Sequence, residues 1–194
     1  MANYENTDID FIIREPEFTR LWKNAENLRQ HTWITTLWLT GARPQELLEM
    51  KKQDIEFIEP NIIKFRIKTK KLGTHKKFII RTRNLKLITD LKERHIYKMK
   101  QYLRRFKSPD SKIFPFSRKT GYNMIQRIGY KALSRSLCPY NFRHSRMTLL
   151  AEMGYSEEKM MRFKGCLTKQ SVKPYNHARE VNFTVEADYD DEKK

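Results

Sequence analysis

Cysteine is scarce in this chain of 194 residues: only Cys138 and Cys166 are present. Two thiols make no disulfide framework and suggest a reducing compartment. No apolar run approaches the roughly 18 residues that a membrane span needs. The opening MANYENTDIDF is polar and acidic, unlike a signal peptide. There is no internal repeat and no low-complexity linker. These absences predict a protein of the cell interior with no membrane partner. Acidic residues are also short, 23 Asp and Glu against 40 Lys and Arg, for a net charge of +17. A solubility surface rich in Lys and Glu would account for the number of charges but not for a surplus of one sign. The surplus favours a polyanionic partner, because each cation placed on a phosphate releases condensed counterions. Apolar residues make up 39%, enough to form a core and to argue against disorder. The length fits one domain, or one large domain with tails.

Residues 1–16 carry little pattern. From Glu17 to Leu28, Phe18, Leu21, Trp22, Ala25 and Leu28 recur at helical spacing. Thr32–Thr40 is apolar nearly all round, which predicts a central buried helix ended by Gly41. Pro44 opens a further short helix expected to run through Lys51. Strands are predicted at Asp54–Ile58, Ile62–Lys68 and Lys76–Arg81, with LGTH joining a hairpin. Leu85, Ile88, Leu91, Ile96, Met99 and Leu103 predict one long helix from Asn84 to Arg104. A loop over Lys107–Ser117 follows. Four helices are then expected, over Arg118–Leu133, Tyr140–Met153, Ser156–Lys164 and Thr168–Tyr175, with Gly154 and Gly165 as stops. An acidic tail over 178–194 closes the chain.

Four positions fit one chemistry. Arg43 precedes a helix N-terminus, where N–H groups and the dipole favour an anion, and Glu46 one turn on can orient its guanidinium. Alone, this would read as an ordinary surface pair. Lys68 enters a basic hairpin tip that also holds Lys70, Lys71, His75, Lys76 and Lys77, suited to DNA phosphates. One of these lysines can protonate a leaving oxygen, and the residues alone do not choose between Lys68 and Lys70. Tyr140 and Arg143 lie i and i+3 on one helix face, with His144 about a quarter turn away and expected behind the site. Tyr175 is a nucleophile candidate. Phenols ionise near pH 10, and cationic neighbours are expected to lower that value.

Together these segments resemble the catalytic domain of the tyrosine recombinase (phage integrase) family over residues 17–177. TGARPQEL is similar to the family's first arginine box, with Arg43 and its companion Glu46. IKTKK resembles the hairpin lysine motif and best matches Lys68. YNFRH resembles the second box, with Arg143 as its arginine, and GCLTKQSVKPYNH resembles the nucleophile segment ending at Tyr175. Tyr140 stands where the family usually has histidine, and Cys166 where it has histidine or tryptophan. A phenol is a weaker base than imidazole and a thiol a poor donor. The resemblance implies an α+β, mostly helical fold, a bundle with a small three-stranded antiparallel sheet. It also implies strand cleavage and rejoining on double-stranded DNA through a 3′-phosphotyrosyl link, without metal, nucleotide or other cofactor. Arg43 and Arg143 would clamp the phosphate, Lys68 would protonate the 5′-oxygen, and four copies would assemble on two duplexes. The family usually carries a separate N-terminal helical domain, so the chain reads as a catalytic domain or as a single-domain recombinase. Rival readings are a non-catalytic DNA-binding protein on this scaffold, a type IB topoisomerase-like enzyme and a basic RNA-binding protein.

Overall fold

The structure is a computed structural model that describes residues 12–59, 62–72, 78–88 and 93–179. Helix α1 (Glu15–Lys23) buries Phe18, Leu21 and Trp22. The single helix expected to reach Leu28 divides here, because Asn27 caps a new one: its side chain accepts the Gln30 N–H at 3.0 Å. Helix α2 (Leu28–Thr40) is buried on every side from Gln30 to Thr40, the central helix that its apolar sequence predicts. Its threonines do not leave polar atoms stranded. Thr32, Thr36 and Thr40 donate to the carbonyls of Leu28, Thr32 and Thr36, one turn back in each case. Trp33 meets Phe114 and Phe116 edge-on, with ring centroids 4.8 and 5.1 Å apart, which pins the loop before Arg118 to the core.

Helix α3 (Pro44–Leu48) is a single turn and stops short of Lys51. The sheet is antiparallel in the order β1 (Ile55–Glu59), β2 (Ile62–Leu72), β3 (Phe78–Ile88). Strand β3 runs seven residues beyond its expected end at Arg81, and helix α4 spans only Glu93–Leu103. Leu85 and Ile88 fit a helical period, but Leu85 and Leu87 also alternate. Pairing with β2 along the whole strand satisfies backbone groups that an isolated helical turn would leave to water. Helices α5 (Arg118–Leu133), α6 (Pro139–Glu152) and α7 (Glu157–Lys164) follow, close to their predicted limits. The last predicted α-helix is instead two 3-10 segments, Lys169–Ser171 and Lys173–Arg179. Pro174 has no N–H to donate, and the Tyr175 N–H reaches only Val172 O, at 3.0 Å. Among the described residues no helix is long and apolar enough to cross a membrane. The acidic tail beyond Arg179 and the DNA-binding candidates His75, Lys76 and Lys77 lie outside the described residues.

One core histidine has a pH consequence. His31 packs on Trp22 and receives Lys98 Nζ at 2.7 Å on Nε2. Burial, then Lys98 and His95, push it down to about 4. The unfolded chain therefore binds the extra proton first. Stability is complete above the ordinary histidine value of about 6.5 and is lost as pH falls through the window to about 4. In urea unfolding, His31→Gln is expected to flatten this pH dependence. An unchanged slope would show that His31 is not its source.

Candidate active site

The turn after α2 starts the site. Gly41 takes the left-handed conformation, with φ of +51°, which lets the chain reverse and turn its carbonyl toward α6. Arg43 then caps α3, with its N–H on Glu46 Oε2 at 2.9 Å and its guanidinium on Glu46 Oε1 at 3.0 Å. A one-turn helix adds little dipole, so the positive potential here comes from side chains.

Glu46 is the hub. It is buried and also accepts from Thr69 Oγ1 at 2.7 Å and from both terminal nitrogens of Arg83, at 3.1 and 2.7 Å. Burial alone would raise this carboxyl, but hydrogen bonds and charge from Arg83, with Thr69 and the Arg43 backbone, outweigh it and hold it at about 2. Arg83 comes from β3 at a position in phase with the buried Leu85 and Leu87, so it points inward. Sequence reasoning missed it. The available signal was an arginine on the apolar side of an alternating strand, hidden once the strand was ended at Arg81. Gly165, which follows α7, is also explained by Arg83: a Cβ there would lie 2.6 Å from its Nη1, and φ is +67°.

Arg143 reaches inward from α6 and is 4% exposed. Its two terminal nitrogens donate to Gly41 O and Lys164 O, each at 2.7 Å. Each of those nitrogens carries a second N–H for an anion. Burial, then the charge of Arg43, lower it to about 10, so it stays cationic at neutral pH. Lys164, also unanticipated, places Nζ 4.8 Å from the Tyr175 ring centroid and donates to Ser171 O. Burial and Arg143 bring it down to about 8, against an opposing effect of Cys166.

Tyr175 is 5% exposed, and its hydroxyl lies 3.0 Å from His144 Nδ1. His144 is therefore in the site and not behind it, because Tyr175 approaches α6 over the face that carries His144. The tyrosine also departs from expectation. Burial raises it to about 12, and Arg143 only partly offsets this. Desolvation outweighs the cationic neighbours.

Cys166 directs its sulfur at Met161 O and Thr168 O, at 3.8 and 3.9 Å. Tyr140 is half-buried in the first turn of α6. On β2, Ile67 and Thr69 face the core, so the pleat turns Lys68 to the exposed side. Among the described residues no hydrogen bond or ion pair joins Lys68 to Arg43, Arg143 or Tyr175, and its charge reaches Asp110 instead. Lys70 and Lys71 lie further along β2, paired with Ile80 and Ile79.

Two arginines and a buried tyrosine thus lie close enough for the charges of Arg43 and Tyr175 to act on Arg143, within a mostly helical fold with a three-stranded sheet that site-specific recombinases share. The chain is similar to the XerA recombinase, with TM-score 0.66 and 20% identity over 87% of this chain and 61% of that one. It is similar to XerH bound to difH substrate, with TM-score 0.64 and 19% identity over 86% and 50%. For the Tn1549 transposon integrase in complex with transposon right end DNA the values are 0.59 and 15%, over 84% and 60%. The chain spans about half to three-fifths of these proteins. The phage integrase family model matches residues 12–181, and the chain belongs to that family. No curated protein matches it.

Proposed function

We infer that this chain is the strand-cleaving unit of a site-specific DNA recombinase or integrase, with residues 17–177 as its catalytic domain. The observation that carries the reading is the convergence of Arg43, Arg143 and Tyr175, drawn from the start of α3, from α6 and from the last 3-10 segment. Glu46, shared by Arg43 and Arg83, offsets one charge and leaves Arg43, Arg83, Arg143 and Lys164 with a local surplus of positive charge. Such a surplus suits a phosphodiester and stabilises the charge that develops as it is attacked. Tyr175 attacks phosphorus, the bond to the 5′-oxygen breaks, and a 3′-phosphotyrosyl link stores the energy for rejoining. A lysine of β2, Lys68 or Lys70, protonates the departing 5′-oxygen. Lys71, with His75, Lys76 and Lys77, binds backbone phosphates. Double-stranded DNA is the partner, in a four-copy assembly on two duplexes. The XerH recombinase and the Tn1549 integrase, both solved with DNA, support this partner class.

The test is a nicked suicide duplex built from sequences flanking the gene, on which wild type is expected to form an SDS-resistant adduct. Tyr175→Phe is expected to form none, because it keeps the ring and loses only the attacking oxygen. A second reading, a DNA-binding protein that does not cut, is favoured by Cys166, whose sulfur is turned toward its own backbone. Wild type that binds these duplexes but never yields an adduct would establish it.

A further inference from the structure

We propose that His144 is a catalytic residue: the base that takes the Tyr175 proton as the strand is cut. The proposal rests on the strand-cleavage reading above and goes beyond it, because no box of the sequence assigns this role to the residue after the second arginine.

Geometry carries the assignment. The Tyr175 hydroxyl and His144 Nδ1 are 3.0 Å apart, with ring centroids 6.0 Å apart. A neutral imidazole with its proton on Nε2 accepts that hydroxyl at Nδ1. Tyr175 is almost closed to solvent, and burial raises its hydroxyl to about 12, so at neutral pH it attacks only if a neighbour removes its proton. The other described groups that act on it, Arg143, Lys164 and Cys166, are poor acceptors. Arg143 has no lone pair to offer. Lys164 is engaged as a donor to Ser171 O, and the Cys166 sulfur is directed at Met161 O and Thr168 O. Among the described residues, the charged groups that act on His144 are Lys164 from α7 and Arg143 on its own helix; Tyr175 from the last 3-10 segment meets its ring, and Tyr140 lies one turn back on the same helix. Burial, then Lys164, then Arg143, lower the histidine. Burial, together with the cations that would hold the phosphate, thus favours the neutral base.

The step balances. As the Oη–P bond forms and the P–O5′ bond breaks, the phenolic proton passes to Nδ1 and leaves an imidazolium. The β2 lysine gives its proton to the 5′-oxygen. In religation the imidazolium returns its proton to the leaving phenolate, and the lysine amine takes the proton of the incoming 5′-hydroxyl. The position of Tyr140 then need not supply a base.

The test is single-turnover adduct formation by His144→Gln across about pH 5.5–9.5, on an ordinary nicked duplex and on one with a 5′-bridging phosphorothiolate. The variant is expected to be about 10²–10⁴-fold slower near neutrality. Wild-type rate should level off near neutrality and fall in acid as His144 protonates, whereas the variant rate should climb about tenfold per pH unit, tracking phenolate. Sulfur leaves without an acid, so the phosphorothiolate should rescue a lysine variant but not His144→Gln. 3,5-Difluorotyrosine at position 175, a more acidic phenol, should restore much of the His144→Gln rate. A variant with the wild-type pH profile, or a defect erased by phosphorothiolate, overturns the proposal. If the variant fails to fold, wild type alone decides: a rate that climbs continuously with pH overturns the proposal. No adduct from wild type overturns the strand-cleavage reading and this proposal together, whereas a reactive wild type beside an equally reactive His144→Gln overturns this one only.

Discussion

Glu46→Ala is expected to destabilise the chain by about 3–5 kcal/mol, the usual cost of leaving one member of a buried ion pair alone. Glu46 is 6% exposed and receives Arg43, Thr69 and Arg83 together. Without it, the Arg83 guanidinium stays charged in a site where its side chain is 10% exposed. It would then stand beside Arg43 and Arg143 with no anion between them. Glu46→Gln keeps an acceptor for Thr69 and should cost less. Replacing both Glu46 and Arg83 by Met should recover most of the stability while cleavage stays impaired, because Arg43 has lost the carboxylate that orients it. Urea midpoints of the three variants check this, and a Glu46→Ala loss below about 1 kcal/mol, the scale of an exposed pair, would refute it. The pH dependence has a definite sign. The carboxyl is held at about 2, below its ordinary 4.5, so its contribution is complete above 4.5 and is lost as pH falls toward 2. That window lies almost wholly below the one set by His31.

Arg143→Lys is expected to slow adduct formation by about 10³-fold, the scale of losing a preorganised donor to a developing oxyanion. DNA binding should change little, since most affinity comes from backbone phosphates met by other cations. On the function proposed above, the guanidinium serves the phosphate in addition to the two carbonyls it already holds, Gly41 O and Lys164 O. An ammonium is a single point of charge on a longer, looser stem and cannot hold both carbonyls and still present a planar fork. Arg143→Ala should add instability, because the buried Gly41 carbonyl would lose a partner at about 1–3 kcal/mol and the half-buried Lys164 carbonyl would lose one at smaller cost. Gel-shift and suicide-duplex assays on the same preparations separate the two effects. Cleavage by Arg143→Lys within about tenfold of wild type would remove Arg143 from the phosphate clamp.

Much of the architecture was legible where one local signal had no competitor. Arg118–Leu133 reads as a helix from its periodic apolar side chains, and the structure has those limits. Thr32–Thr40 reads as a central helix because an all-round apolar segment has nowhere else to go. Local signals failed where two periods fit one stretch. Leu85, Leu87 and Ile88 satisfy both a strand and a helix, and the pairing of β3 with β2 decided between them. The same pairing determined which residues of the sheet face inward. It brought Arg83 to Glu46 and turned Lys68 to the exposed side.

The sequence by itself determined the family, the helical character with a small sheet, the basic charge, and the order of Arg43, Arg143 and Tyr175 along the chain. These follow from residue type and spacing, which need no knowledge of what lies across the fold. Only the tertiary structure decided that Tyr175 is buried against His144, that Lys164 lies over its ring, and that Arg83 shares Glu46 with Arg43. Each of those is a meeting of side chains from different elements, and the energies that matter there, desolvation and charge at a few ångströms, exist only once the chain has folded.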